Sequence, residues 1–120
     1  AQCLRVPVSD GHTAAVFVKF RNKPTKEEIL AEWAAFRGEP QELELPSAPK
    51  QFLHYFEEDN RPQPKLDRML ENGMAVSAGR LRDDALFDYR FVGLSHNTLR
   101  GAAGGAVLLA ELLAAKGYFD

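Results

Sequence analysis

Two pairs of alternating segments, one near each end of the chain, constrain its fold more than any other feature. RVPVSDGH at 5–12 leads into TAAVFVKF at 13–20, and MAVSAGRLR at 74–82 is followed by LFDYRFVGLS at 86–95. A period of two is that of an extended strand, whose successive side chains point to opposite faces. Asp10-Gly11 separates the first pair and Asp83-Asp84 the second; glycine accepts the positive φ that tight turns require. Hairpins are therefore predicted over residues 3–20 and 74–95. In the first strand Cys3, Arg5, Pro7 and Ser9 would share one face and Leu4, Val6 and Val8 the other, and the apolar set is expected to be buried.

Between the hairpins the signals change. Thr25 and Glu28 form the T-x-x-E pattern of a capping box, Ile29, Trp33 and Phe36 follow at helical spacing, and Gly38 ends the run. Pro40, Pro46 and Pro49 remove backbone donors, so residues 39–51 are expected to be an extended loop with room for a short strand at Gln41–Leu45. Residues 51–56 alternate aromatic and polar side chains and predict a strand. EEDNRPQPKLDRMLENG at 57–73 reads as a long surface loop, of the kind that carries function or covers an interface. LRGAAGGAVLLAELLAAKG at 99–117 predicts a helix whose early glycines suggest that a backbone or ligand approaches closely. The order of elements gives an α+β fold, with a mixed, mainly antiparallel sheet and helices on one face.

Charge and composition narrow the function classes. The formal net charge is −2 and the basic residues are scattered, which gives no footprint for nucleic acid. No run of about eighteen apolar residues is available to cross a bilayer. One cysteine cannot form an intrachain disulfide, which suits a reducing compartment; a cytoplasmic location is expected. The chain opens directly in strand-like residues without a methionine, as a piece of a longer protein would.

Several residues could carry chemistry. Cys3 beside Arg5 and near His12 could be an activated thiolate, or an inert strand thiol. His12 follows a turn and is poised for exposure; histidine changes charge near neutral pH and suits proton transfer, although a lone surface histidine is the simpler alternative. Arg5 could grip a carboxylate or phosphate through two N–H groups or pair within the fold. Asn97 could cap the last helix or present its carboxamide to a ligand. His96 reads as structural. GAAGG at 101–105 follows a strand and opens a helix but does not match G-x-G-x-x-G. No metal site is expected.

Taken together, RVPVSDGH, LPSAP at 45–49, DNRPQPKLDR at 59–68, GMAVSAGRLR at 73–82 and LSHNTLRGAAGG at 94–105 resemble the C-terminal part of the aspartate-semialdehyde dehydrogenases, in their fungal and archaeal branch. The resemblance covers essentially the whole chain. It implies the C-terminal dimerisation and catalytic domain of the glyceraldehyde-3-phosphate dehydrogenase-like fold in residues 1–95, incomplete at its N-terminal side. Residues 96–120 would form a helix that packs back on an NADP-binding domain. The implied activity is NADP-dependent interconversion of L-aspartate 4-semialdehyde and L-4-aspartyl phosphate, on the route to lysine, threonine, methionine and isoleucine. By the same resemblance His12 matches the general acid/base and Arg5, seven residues before it, the group that grips the substrate α-carboxylate. Asn97 matches the asparagine near the nicotinamide end of NADP. Implied partners are the semialdehyde, inorganic phosphate and further copies in a homodimer or homotetramer, with no nucleic acid and no membrane. The family's glycine-rich phosphate loop, nucleophilic cysteine, substrate-contacting glutamine and phosphate-binding lysine belong upstream of Ala1, and Cys3 does not match the nucleophile. The chain alone is therefore expected to be a fragment and inactive. The alternative is an oligomerisation module with no chemistry of its own.

Overall fold

The computed structural model describes residues 1–3 and 5–119. Among them, five strands form one sheet in the order β1-β2-β5-β4-β3: β1 (Gln2–Cys3), β2 (His12–Val18), β3 (Leu53–Phe56), β4 (Val76–Asp83) and β5 (Tyr89–Ser95). β3 runs parallel to β4 and every other pairing is antiparallel. The sheet is thus mixed and mainly antiparallel, and the fold is α+β, as expected.

The first hairpin exists but is built differently from its sequence pattern. β1 is two residues long, pairing Gln2 with Ala15 and Cys3 with Ala14, and residues 5–11 leave the ladder as a loop. Val6 and Val8, expected to be buried, are 41% and 40% exposed; Leu4, placed with them, lies outside the described residues. The cause is Pro7, which has no N–H for a ladder and fixes its own φ. Around it the chain closes a tight turn in which Val8 N–H donates to Val6 O at 2.8 Å. The second hairpin forms where predicted. Asp84 Oδ1 accepts from Leu86 N–H and Phe87 N–H at 3.0 and 2.9 Å, stabilising its tip.

Helix α1 (Lys26–Ala35) starts on the predicted capping box: Glu28 N–H donates to Thr25 Oγ1 at 3.1 Å and Thr25 N–H to Glu28 Oε2 at 2.7 Å. Ile29 is buried, and Trp33 packs its ring against Phe91 and Tyr55 at 5.0 and 6.0 Å between centroids. These contacts seat α1 on the sheet face shared by Val16, Phe91 and Tyr55. The helix stops before Phe36, which leans on Phe52. Where a short strand at Gln41–Leu45 was expected, α2 (Glu39–Glu42) forms instead. Pro40 lies in its first turn, where a missing N–H costs nothing and the fixed φ favours the helix.

Residues 57–73 are also more ordered than a surface loop. They contain α3 (Pro64–Asp67) and a 3-10 turn at Leu70–Gly73, organised around Asp67, which is 2% exposed. Asp67 accepts from Gln63 N–H at 2.6 Å and from both Arg61 Nε (2.8 Å) and Nη2, while the Arg61 guanidinium lies 4.4 Å from the centre of the Phe56 ring. Arg61 and Pro62 lie over Gly79 of β4. After β5, a π-helical turn at Leu99–Ala103 leads into α4 (Gly104–Ala115). At Gly104 the group that approaches most closely is a side chain rather than the backbone or ligand expected: a Cβ there would lie 2.5 Å from Met74 Sδ. Met74, Ala75, Ala78, Tyr89, Leu94 and Leu108 are buried and, with Ile29, form the core.

Candidate functional site

Arg5, His12 and Asn97, which are far apart in sequence, line one open cleft of about 540 Å³ together with Cys3, Gly93 and Ser95. β2 begins at His12, which stands opposite Ser95 in the ladder, and the His12 side chain is exposed. The residue before it, Gly11, is buried with φ +110°. A Cβ there would stand 3.2 Å from Pro64 Cβ and 3.3 Å from Leu94 Cδ1, so the backbone conformation calls for glycine and a side chain would also crowd these neighbours.

Asn97 holds this turn from across the fold. Its Oδ1 accepts from Gly11 N–H at 2.7 Å. Helix capping, one of the two sequence readings of Asn97, falls instead to His96. The His96 side chain is buried, and its Nδ1 accepts from Thr98 N–H at 3.3 Å and Leu99 N–H at 3.2 Å, which places the ring proton on Nε2. Arg5 is exposed on the 5–11 loop, and among the described residues it has no ion-pair partner. A guanidinium in that position is free to take an anion. Cys3, the free thiol, is exposed on the same wall.

The cleft floor is low. Gly93 pairs with Ala14 on one side and Ala78 on the other, and no atom lies within 4 Å of where its Cβ would be. A planar group could lie there without displacing protein. The glycines after Asn97 do not cradle phosphate, however: the N–H groups of Gly101, Ala103 and Gly104 donate to the carbonyls of His96, Thr98 and Leu99. Arg100 stacks on Phe52 at 4.7 Å, and burial holds its guanidinium below its ordinary pKa. Among the described residues no group of three His, Cys, Asp or Glu side chains could hold a metal ion, and no helix is long and apolar enough to cross a membrane.

Reading the sequence missed three features: the Asn97–Gly11 bond, the His96 cap and the buried Asp67. The cap alone left a trace, a hydrogen-bonding side chain just ahead of a helix.

Residues 1–100 match the family model described as semialdehyde dehydrogenase, dimerisation domain. The chain is 50% identical over 120 residues to the aspartate-semialdehyde dehydrogenase of Schizosaccharomyces pombe, covering 98% of this chain and 34% of that protein. It is 43% identical over 118 residues to a malonyl CoA reductase (NADP) of Metallosphaera sedula, covering 97% of this chain and 33% of that one. Among solved structures, Candida albicans aspartate semialdehyde dehydrogenase with NADP superposes with a TM-score of 0.84 at 43% identity, over 95% of this chain and 32% of that chain. The chain thus spans about a third of the length of the relatives it matches.

Proposed function

Since the chain belongs to the semialdehyde dehydrogenase dimerisation-domain family, we propose that it supplies the acid–base and substrate-orienting half of an NADP-dependent aspartate-semialdehyde dehydrogenase. The observation that carries this reading is the meeting of Arg5, His12 and Asn97 in one cleft. Oxidation of an aldehyde adduct to the acyl level removes a hydride from carbon and a proton from oxygen. His12 receives that proton, and returns it in the reverse direction. Arg5 holds the α-carboxylate of the semialdehyde by paired charge-assisted hydrogen bonds. The nucleophile and the phosphate-binding groups come from the part of the enzyme that this chain does not span.

The residues here fit one end of the cofactor. With Oδ1 committed to Gly11, Asn97 keeps its Nδ2 donors for a carboxamide oxygen, and the open floor at Gly93 admits a flat ring. The committed backbone amides after Asn97 leave the phosphates of NADP to the other part of the enzyme. NADP, when bound, supplies the hydride acceptor. Residues 96–120 would pack against that NADP-binding part; the half-exposed Val107 and Leu109 of α4 support this. The free thiol of Cys3 fits a reducing compartment such as the cytoplasm.

A second role rests on a separate observation. Arg82 and Arg90 stand directly opposite each other in the β4–β5 ladder, a like-charge pair offset on the Arg90 side by Asp84 at 3.7 Å. The sheet that carries them lies within the residues matched by the dimerisation-domain family model, which supports assembly of copies into a homodimer or homotetramer as part of the enzyme's function.

The reading is tested by joining this chain to the N-terminal two-thirds of the S. pombe relative and assaying phosphate-dependent, NADP-dependent oxidation of aspartate 4-semialdehyde. Activity is expected, with kcat falling about 10²- to 10⁴-fold on His12→Ala and remaining within about threefold on Cys3→Ala. Loss on Cys3→Ala with retention on His12→Ala would overturn the assignment. Reduction of malonyl-CoA in preference to aspartyl phosphate would move the substrate to that of the M. sedula relative.

A further inference from the structure

The histidine-bearing end of β2 is anchored on one side only. From His12 onward the chain is fixed by the β ladder with β5. On the other side, residues 5–10 have no ladder partner and are mostly exposed. Apart from the ladders, the hydrogen bonds of the 5–11 loop among the described residues are Val8 N–H to Val6 O, which is internal, and Gly11 N–H to Asn97 Oδ1. The second is therefore the bond that ties the loop to the rest of the fold at the residue preceding His12.

We propose that Asn97 is a positioning residue for His12, acting through the Gly11 amide, and that it links the seat of the cofactor carboxamide to the placement of the acid–base group. This rests on the reading of His12 given above. Asn97 is itself a rigid post. It lies two residues beyond Ser95, the ladder partner of His12, and next to His96, which caps the following turn and whose carbonyl accepts from Gly101 N–H at 3.0 Å. Its Oδ1 holds Gly11, while its Nδ2 makes no hydrogen bond among the described residues. A ligand carbonyl that takes Nδ2 thereby orients the amide plane whose other end fixes Gly11. Glycine is the most permissive residue in its backbone angles, so the φ of +110° at Gly11 is held by its surroundings, and the bond to Asn97 Oδ1 is the one side-chain hydrogen bond on it among the described residues. Displacement of a reacting group by even about 1 Å can cost about 10²-fold in rate, so one well-placed hydrogen bond is enough to matter.

The test uses the joined protein described above, selectively labelled on glycine, with Asn97→Ala and Asn97→Asp. Asn97→Ala is expected to lower kcat about tenfold or more while the KM for the semialdehyde stays within about threefold, and to speed amide exchange at Gly11 by about tenfold. Asn97→Asp keeps the acceptor and loses the donors. It should restore Gly11 protection and most of kcat, with a raised KM for NADP. An Asn97→Ala protein with unchanged kcat, unchanged Gly11 exchange and a raised KM for NADP overturns the proposal, leaving Asn97 a cofactor contact alone. If the unsubstituted joined protein shows no dehydrogenase activity while Gly11 exchange still follows the two variants, the bond stands and the dehydrogenase reading falls.

Discussion

Asp67 is a charged side chain in a place where charge is costly, and its surroundings explain why it is tolerated. Both carboxylate oxygens are occupied, by the Arg61 fork and by Gln63 N–H. Breaking such a pair from one side strands the other charge. Asp67→Asn is expected to lower stability clearly, read as a shift in the urea midpoint, because it removes a charged acceptor of three hydrogen bonds from a buried position, whereas Lys65→Ala on the exposed side of the same helix should change it by less than about 0.5 kcal/mol. Equal effects would mean that the pair does not organise the segment. None of this was legible in DNRPQPKLDR, where prolines and charges suggested a solvated loop. Which carboxylate turns inward depends on turn geometry that composition does not encode. Val6 and Val8 were misread for a related reason: alternation implies a buried face only while the ladder continues, and Pro7 stops it. His12, Arg5 and Asn97 were picked out as candidates, but their meeting in one cleft could not be read from spacing.

At the scale of elements, local signals were sufficient where the cause is local. The Thr25–Glu28 box fixed the start of α1, and the Asp83-Asp84 turn placed the second hairpin. The parallel pairing of β3 with β4 left no local trace, because a strand's direction is set by the path of the chain between strands. Pro40 shows the limit of reading proline as a breaker, since it opens α2. The hairpin tip also carries a pH dependence. The N–H groups of Phe87 and Leu86 donate to Asp84 and hold its carboxyl below the ordinary carboxylate range. A folded-state pKa below the unfolded one means that the stabilisation is present above the unfolded value and is lost as pH falls through the folded value. The protection of the Leu86 and Phe87 amides, taken relative to their intrinsic exchange rate at each pH, should therefore fall on acidification through and below the ordinary carboxylate range, and Asp84→Ala should abolish that response. A tip whose protection falls equally in the variant would assign the effect elsewhere. Asp83 is lowered in the same direction by Lys26, but that exposed pair should fade with added salt.

The whole molecule is a slab, with Cα extents of 52 × 36 × 21 Å. A slab leaves apolar surface uncovered: Val107 and Leu109 on α4 are about half exposed, and Tyr118 and Phe119 just beyond it are 74% and 66% exposed. The 120-residue chain on its own is expected to self-associate at roughly micromolar concentration, and Val107→Lys with Leu109→Lys should shift it toward monomer in sedimentation equilibrium. A monomeric parent chain with a slowly exchanging α4 would show that this face needs no cover. The bond between Gly11 and Asn97 has a consequence for synthesis as well. It joins residues 86 positions apart, and β2 reaches its neighbour β5 across a comparable separation. A nascent chain leaving the ribosome therefore cannot complete the histidine's setting until β5 and Asn97 have also emerged. Contacts of such long sequence separation slow folding, so β2 must wait, without its central neighbour, while the segments between are made.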